Sequence, residues 1–190
     1  MISVQNLEVR IGARQLLKPT TFTVNDGDRI GLVGRNGAGK TTTTKSLAGE
    51  GQGTGGRVTF KGTVGYLPQD PRTGDLEVLA MERILSARDL GSLMRRMRDA
   101  EEGMASEDPK VSEKAMEKYP RIEEQFRAAG GYAAESEAAS IAANLGLVER
   151  VLGQPLSTLS GGQRRRVELA RILVAGADTL RLDEPTNHLD

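Results

Sequence analysis

The sequence predicts an α/β fold with an antiparallel β subdomain near the N-terminus and a helical subdomain in the middle of the chain. Three observations support this prediction. Apolar and polar residues alternate over 2–10, as they do in a half-buried strand. A short apolar run over 29–33 leads directly into a glycine-rich loop. Beyond Asp75 the chain becomes rich in Glu, Lys, Arg and Ala with helical spacing.

The first third of the chain predicts mostly strands. Residues 2–10 and 20–24 have β-forming composition, and a turn follows at 25–28. Residues 29–33 (RIGLV) predict a strand that is buried on both faces of a parallel sheet. The remaining elements predicted before Asp75 are a helix at 42–48 and two short strands at 57–60 and 64–66.

From Leu76 to about Val148 the spacing predicts helices, which break at 107–109 and at 130–131. Five apolar residues recur at steps of three, four and seven, and they predict a buried helix seam: Leu90, Leu93, Met94, Met97 and Met104. A methionine-rich groove for a partner is the alternative interpretation.

Three arginines follow in the same helical segment, Arg95, Arg96 and Arg98. With the nearby acidic residues Glu101 and Glu102 they predict a solvated helix face. Contact with an anionic partner such as RNA is the alternative.

Composition excludes several classes of protein. The 190 residues contain 26 Lys+Arg and 26 Asp+Glu, so no bulk positive charge draws the chain to nucleic acid or an anionic membrane. There are no cysteines, which excludes disulfides, thiolate zinc sites and cysteine nucleophiles. No apolar run approaches 18 residues and no signal peptide is visible. We expect a cytoplasmic protein with no direct membrane insertion.

A phosphate-binding loop is the clearest motif. Residues 34–41 (GRNGAGKT) match the Walker A pattern G-x-x-x-x-G-K-[ST], between a predicted strand and a predicted helix. Backbone N–H groups of such a loop surround nucleotide phosphates, and the helix N-terminus adds partial positive charge. Lys40 is expected to reach the β- and γ-phosphates, and the Thr41 hydroxyl to bind Mg²⁺.

Two later segments add candidate ligands. Residues 159–163 (LSGGQ) precede a helical segment, with Ser160 as a predicted N-cap and Gly161 and Gly162 exposing backbone donors. A capped helix without a ligand is the alternative. Residues 180–184 (LRLDE) end in Asp183 and Glu184, which can hold Mg²⁺ and polarise a water molecule, or can be ordinary surface carboxylates.

Together these motifs, in this order, resemble an ABC ATPase domain over nearly the whole chain. The resemblance implies a P-loop NTPase core that hydrolyses ATP to ADP and phosphate, with ATP and Mg²⁺ as cofactors. It divides the chain into an ATP-binding core with its β subdomain (1–75), a helical subdomain (76–158) and a return to the core (159–190).

The resemblance also assigns roles to individual residues. Gln69, in the segment YLPQD, matches the Q-loop glutamine that contacts Mg²⁺ and the attacking water. The implied catalytic residues are Glu184, Lys40 and Gln69, and the implied magnesium ligands are Thr41, Gln69 and Asp183. The implied nucleotide-binding residues are Ile11, Gly34, Arg35, Asn36, Gly37, Ala38, Gly39, Lys40, Thr41, Thr42, Gln69, Asp183, Ser160, Gly161, Gly162 and Gln163.

The string EPTNHLD at 184–190, together with Gly130, Gly131 and Tyr132 before an Ala/Glu helix, is similar to the ABC-F subfamily. That likeness implies a protein with two ABC domains that acts on the ribosome as a translation factor or an antibiotic-protection protein. The implied partners are a second ABC domain and the ribosome. The nucleotide-binding subunit of a membrane transporter is the alternative.

Three features depart from the family pattern. The single histidine, His188, lies where the family has its D-loop, so the switch histidine is absent. We therefore expect a C-terminally truncated first ABC domain that is weakly active or inactive alone. Ile11 stands where an adenine-stacking aromatic residue is usual. Arg181 interrupts an aliphatic strand, so it needs a partner or an opening to solvent.

Overall fold

An antiparallel three-stranded sheet forms the N-terminal part of the computed structural model, which describes residues 1–35, 37–47, 55–67 and 75–182. The strands are β1 (Ile2–Ile11), β2 (Arg14–Val24) and β3 (Gly55–Phe60), in the order β2-β1-β3. β1 therefore has an antiparallel neighbour on each side. The strands predicted at 2–10, 20–24 and 57–60 are confirmed.

A bulge in β1 determines which side chains enter the core of this sheet. Ile2 and Val4 are buried, and further along the strand Leu7 and Val9 are buried, so the parity of the buried positions changes between them. Two residues of β1, Gln5 and Asn6, lie opposite the single residue Thr21 of β2 at this point, and Asn6 has a positive φ of 48°. Because the extra residue reverses the alternation, both halves of β1 direct their apolar side chains to one core.

A second sheet consists of two parallel strands, and the helix α1 (Lys40–Leu47) precedes both of them in the chain. The strands are β4 (Val64–Leu67) and β5 (Thr179–Leu182), with Val64 opposite Thr179. Just before β5, the Asp178 carboxylate accepts hydrogen bonds from the Thr63 N–H at 2.7 Å and hydroxyl at 2.9 Å. These bonds lower the pKa of Asp178 because they stabilise its charged form.

The predicted strand at 29–33 is wrong. The structure leaves this segment outside any strand, and the side chains of Ile30 and Val33 are 64% and 91% exposed. A strand needs a neighbour that accepts and donates backbone hydrogen bonds. Among the described residues β4 and β5 pair only with each other, so no strand serves as that neighbour for 29–33.

Arg181 has partners, which settles the alternatives left open by the sequence. Its side chain is buried on β5. The guanidinium lies 5.0 Å from the centroid of the Phe60 ring, and Nη1 donates to the Thr44 carbonyl of α1 at 3.5 Å. A cation over an aromatic face is stabilised by the ring quadrupole, so a charge in this strand is tolerated.

Residues 75–175 are mostly helical, as predicted for 76–148 and for the segment that follows LSGGQ. The bounds of the helices are α2 Ala80–Leu85, α3 Gly91–Met104, α4 Pro109–Ala128, α5 Gly131–Asn144, α6 Glu149–Leu152 and α7 Gly161–Val174. Single 3₁₀ turns lie at Ser86–Arg88 and Leu156–Thr158.

The two predicted helix breaks are confirmed. Asp108 caps α4 by accepting a hydrogen bond from the Lys110 N–H at 2.9 Å, and Pro109 occupies the first helical position. Gly130 has φ 74° between α4 and α5, a conformation that residues with a Cβ rarely adopt. Local chemistry therefore decides where these helices begin.

One apolar core holds the helices together, and α3 contributes the predicted seam. Leu90 is buried just before α3, and Leu93, Met94 and Met97 pack against the same core from within the helix. Met104 is half-buried at the end of α3 and lies outside this cluster. The core on which they pack includes Ala80, Ile84, Leu85, Phe126, Ala138, Val151, Val167 and Val174.

The predicted solvated arginine face is only partly confirmed. The side chains of Arg95 and Arg98 are 40% and 32% exposed, and Arg98 pairs with Glu102 as well. Arg95 and Arg98 both pair with the carboxylate of Glu82, whose side chain is only 1% exposed. Arg96 is exposed, as predicted. The sequence missed this pairing because Glu82 belongs to α2, a different helix from the arginines.

The described chain divides into two compact units, one formed by residues 1–67 with 176–182 and the other by residues 75–175. α7 belongs to the helical unit by its packing against α2 and α5. The three-part division expected from the sequence stays a prediction. Within the described residues, no helix combines the length and apolar composition of a membrane span.

The junction between α4 and α5 generates a stability prediction. A Cβ on Gly131 would lie 2.5 Å from three ring carbons of Phe126, a buried residue in edge-to-face contact with Tyr132 at 5.2 Å. We expect Gly131→Ala to lower the free energy of unfolding by about 1–3 kcal/mol through this overpacking, measured by urea denaturation.

Gly153→Ala is the matched control for this measurement. Gly153 has an ordinary φ of −87°, and a Cβ there would approach nothing closer than 4.0 Å. The control is expected to change the free energy of unfolding by less than about 0.5 kcal/mol. Equal stabilities of the two variants would contradict the packing that we describe around Phe126.

Candidate nucleotide site

The glycine-rich loop ends at the N-terminus of α1, as the Walker A pattern predicts. Gly37 and Gly39 have φ values of 76° and 92°, and α1 begins at the next residue, Lys40. The Ala38 N–H donates to the Arg35 carbonyl at 3.1 Å, which closes the loop on itself. A backbone that turns this tightly presents peptide groups rather than side chains to a ligand.

Gly39 is required by packing as well as by its conformation. A Cβ at this position would lie 2.6 Å from Cδ1 of Leu16, a residue of β2. Leu16 of β2 therefore packs closely against the loop at Gly39, and only a glycine fits at this position. The antiparallel sheet thus positions the phosphate-binding loop.

Lys40 is the cation of the loop. Its ammonium donates to the carbonyl oxygens of Gly34 at 2.9 Å and Arg35 at 3.2 Å. Both acceptors are neutral, and among the described residues no carboxylate pairs with this ammonium. Hydrogen bonds from an ammonium to anionic oxygens are stronger than those to carbonyls, which favours exchange of these contacts for phosphate oxygens.

Helix α1 adds to this positive potential. The first turn of any helix has N–H groups without intrahelical acceptors, and α1 has no acidic residue in its first turn to neutralise them. Thr41 and Thr42 of that turn are half-buried, and Thr43 and Ser46 of the same helix are buried. The loop, Lys40 and the helix end together fit the phosphates of a nucleotide.

Ile11 lies at the end of β1, where it pairs with Arg14 across the hairpin, and its side chain is 57% exposed. Leu16 of the same hairpin contacts the loop beneath Gly39. An exposed aliphatic side chain can cover one face of a base without stacking on it. The role of Ile11 in adenine binding stays a prediction.

The LSGGQ segment forms a complete capping box at the start of α7. The Gln163 N–H donates to the Ser160 hydroxyl at 3.2 Å, and the Ser160 N–H donates to Oε1 of Gln163 at 2.9 Å. The predicted N-cap at Ser160 is confirmed. Gly161 is exposed and Gly162 is half-exposed, so this helix end carries no large side chains. The first N–H groups of a helix have no acceptor within the helix.

A second buried carboxylate connects α7 to α2, and its pairing was not predicted from the sequence. Glu168 is buried and pairs with Arg83 of α2 and with Arg171 one turn further along α7. The i,i+3 spacing of Glu168 and Arg171 was visible in the sequence. The pairing with Arg83, which lies 85 residues away, was not.

Four of the predicted site residues, Asn36, Gln69, Asp183 and Glu184, lie outside the described residues, and so does His188. Of the predicted magnesium ligands the structure therefore describes Thr41 alone. The loop and the LSGGQ segment belong to different compact units.

Comparison with known proteins gives a consistent family. The model of the family described as ABC transporter matches residues 17–187. The probable ATP-binding protein YheS of Escherichia coli strain K12 is 35% identical over 191 residues, and the tylosin resistance ATP-binding protein TlrC of Streptomyces fradiae is 36% identical over 197. The putative ATP-binding protein YdiF of Bacillus subtilis is 38% identical over 192 residues.

Each of these matches covers the whole chain, and the chain spans 28%, 35% and 30% of the lengths of the three relatives. Solved structures agree in fold. An ATP-binding subunit of an ABC transporter has a TM-score of 0.69 at 21% identity, with all of this chain and 68% of that one covered. A dimeric ATP-binding cassette has a TM-score of 0.64 at 20% identity, with coverage of 100% and 76%.

These findings confirm the α/β P-loop fold and the resemblance to ABC ATPase domains of the ABC-F type. The family match extends over most of the chain, and it includes both the loop whose geometry is described above and the LSGGQ segment. The chain therefore belongs to the ABC transporter family of ATP-binding domains.

Proposed function

We propose that this ABC ATP-binding domain binds ATP with Mg²⁺ and contributes to its hydrolysis to ADP and phosphate. The observation that supports this most directly is the position of Lys40. This residue begins α1, and its ammonium lies 2.9 Å from the Gly34 carbonyl oxygen. On binding, Lys40 exchanges its carbonyl contacts for β- and γ-phosphate oxygens, and the loop N–H groups surround the phosphates.

The remaining residues act through position and charge. Thr41, Gln69 and Asp183 would hold Mg²⁺, which when bound would supply positive charge beside the transferring phosphoryl group. Glu184 would accept a hydrogen bond from the attacking water. Ile11 covers the adenine. Arg35, Asn36, Gly37, Ala38 and Thr42 line the phosphates.

A second ABC domain completes the site in this proposal. Ser160, Gly161, Gly162 and Gln163 of one domain face the nucleotide held by the Walker A loop of the other. The first turn of α7 supplies the donors and the partial positive charge. The 190-residue chain alone is therefore expected to bind Mg·ATP weakly and to turn it over slowly or not at all.

We further propose that the intact protein acts on the ribosome, as a translation factor or in antibiotic protection. Two features support this role. The string EPTNHLD at 184–190 is similar to ABC-F proteins, and a relative at 36% identity is named for tylosin resistance. The alternative is the ATPase subunit of a membrane transporter, which the family description and one structural neighbour support at the level of the fold.

Lys40→Ala tests the proposed phosphate site. Loss of a charge-assisted hydrogen bond worth about 1.5–3 kcal/mol is expected to weaken binding of a fluorescent ATP analogue by roughly tenfold or more. Lys45→Ala is the matched control, because Lys45 is an exposed lysine in the last turn of the same helix. Equal affinities of both variants and the parent would exclude Lys40 from phosphate binding.

Glu184→Gln tests the proposed base in a two-domain protein that contains this sequence. The amide keeps the size of the side chain and removes its ability to accept a proton. Turnover is expected to fall by about 10²–10⁴-fold while ATP binding persists, as measured by phosphate release and nucleotide retention. Glu107→Gln, at an exposed carboxylate, is the control. Turnover of Glu184→Gln at the parental rate would show that another residue is the base.

Cosedimentation distinguishes the two candidate functions. In its ATP-retaining Glu184→Gln form, the two-domain protein is expected to sediment with ribosomes several-fold more with ATP than without nucleotide. Lys40→Ala is expected to abolish this difference because it removes ATP binding. Absence of ribosome association in both states would turn the assignment toward a transporter subunit.

A further inference from the structure

A groove with a volume of about 820 Å³ lies between α3 and α5 in the helical unit, and we call it the acidic groove. All five helices from α2 to α6 contribute side chains to its lining. Pockets that hold drug-sized organic molecules have volumes of about 300–1,000 Å³ and are concave. The acidic groove therefore has the size of a small-molecule site, with walls on several sides.

The part of the acidic groove formed by α2 and α3 is apolar. Met94 and Met97 lie one turn apart on α3 and are half-buried, and Met81 of α2 is buried. Methionine side chains are flexible and polarisable, so they adjust to apolar ligands of different shapes. The sequence left a methionine-rich groove for a partner as an alternative interpretation, and the acidic groove is where such a partner would bind.

Aromatic rings from α4 and α5 complete the apolar lining. Phe126 is buried in edge-to-face contact with Tyr132, whose side chain is 47% exposed. The Tyr119 hydroxyl donates to Glu101 at 3.1 Å, and the Tyr132 hydroxyl donates to Glu123 at 3.3 Å. These bonds orient the phenol rings, whose carbon atoms add apolar surface and whose faces attract cations.

Carboxylates outnumber cations in this lining. The carboxylates are Glu82, Glu101, Glu135 and Glu149, and Arg98 is the one cation among the described residues of the groove. Arg98 pairs with Glu82 at 2.5 Å, so its charge is already compensated. In the part of the chain that the structure describes, no ion pair involves the other three carboxylates. The lining therefore carries a net negative charge.

Glu135 is the most buried of these three carboxylates. It lies half-buried on α5, one turn after Tyr132 and one turn before Ala139. Burial raises the pKa of the Glu135 carboxyl because its charged form is poorly hydrated there. Among the described residues, none donates a hydrogen bond to this carboxylate. A ligand cation beside Glu135 would supply the missing charge, with the face of Tyr132 on the same side of the helix.

We propose that the acidic groove binds apolar organic cations, which have an aromatic or aliphatic body and one protonated amine. The body packs against the methionine and aromatic side chains, and the ammonium pairs with Glu135. A small metal ion would leave the apolar lining unused, and an anion would meet three uncompensated carboxylates. This inference does not rest on the proposed ATPase function, since no residue proposed to hold ATP or Mg²⁺ lines the groove.

Two dansyl compounds test the charge requirement in the 190-residue chain. Dansylcadaverine carries an ammonium, and its N-acetyl derivative has the same fluorophore and chain without the charge. We expect dansylcadaverine to bind at one site per chain with a dissociation constant of about 10–100 μM, in the range for a ligand of its size. The N-acetyl derivative is expected to bind roughly tenfold more weakly. Equal fluorescence titrations with both compounds would overturn the proposal.

Glu135→Gln locates the charge that the ammonium meets. The amide keeps the size of the side chain, so dansylcadaverine is expected to bind about tenfold more weakly while affinity for the N-acetyl derivative stays within about twofold of the parent. Glu113→Gln is the matched control, because Glu113 is an exposed carboxylate that does not line the groove. Circular dichroism is expected to show equal melting of parent and variants. Unchanged dansylcadaverine affinity in Glu135→Gln, or an equal loss in the control, would contradict the assignment.

Methionine methyl resonances in a ¹H–¹³C spectrum locate the bound molecule. Of the six methionines, those that line the acidic groove are Met81, Met94 and Met97, and those outside it are Met1, Met104 and Met116. Ring currents of the dansyl group are expected to shift the signals of Met94 and Met97, which are half-buried in the lining. Shifts confined to the three methionines outside the groove would place the ligand elsewhere and overturn the proposal.

A basic peptide helix is the other occupant that this chemistry admits. A 14-residue helix of leucine and lysine is about 21 Å long and about 10 Å wide, which exceeds the groove. We therefore expect such a peptide to bind more weakly than dansylcadaverine in a displacement titration. Tighter binding of the peptide, with the same loss in Glu135→Gln, would overturn the small-molecule assignment in favour of a protein partner.

Discussion

Two buried carboxylates, Glu82 and Glu168, organise the helical unit. Each is almost completely removed from solvent and is neutralised by two arginines, Glu82 by Arg95 and Arg98, and Glu168 by Arg83 and Arg171. Loss of one arginine would leave each buried carboxylate with a single cation, and loss of a carboxylate would remove two pairings at once.

α2 is the helix on which both ionic clusters meet, because it carries Glu82 toward α3 and Arg83 toward α7. Through the first pair it holds α3. Through the second it holds α7, which begins at the LSGGQ capping box. α3 and α7 are thus both connected to one short helix by ion pairs.

The nucleotide loop depends on a different kind of constraint, the close approach of the Leu16 side chain to the loop backbone at Gly39. Gly39 leaves room for Leu16 of β2, and its positive φ allows α1 to begin at Lys40. The bulge at Asn6 keeps the apolar side chains of both halves of β1 on one core, so the sheet can present β2 to the loop. The positive charge of the site comes from Lys40 and the N-terminus of α1, and the loop backbone positions both.

The sequence by itself determined the features that depend on neighbouring residues. The Walker A loop, the Ser160 cap, the break at Asp108 and Pro109 and the turn at Gly130 each rest on local φ values or hydrogen bonds within a few residues. The tertiary structure alone decided which charges are buried. Arg98 and Glu82, and Arg83 and Glu168, are far apart in the chain, and their pairing requires α2, α3 and α7 to be packed already. The same reason explains why residues 29–33 were assigned wrongly, because a strand is defined by the neighbour with which it pairs and not by its own composition.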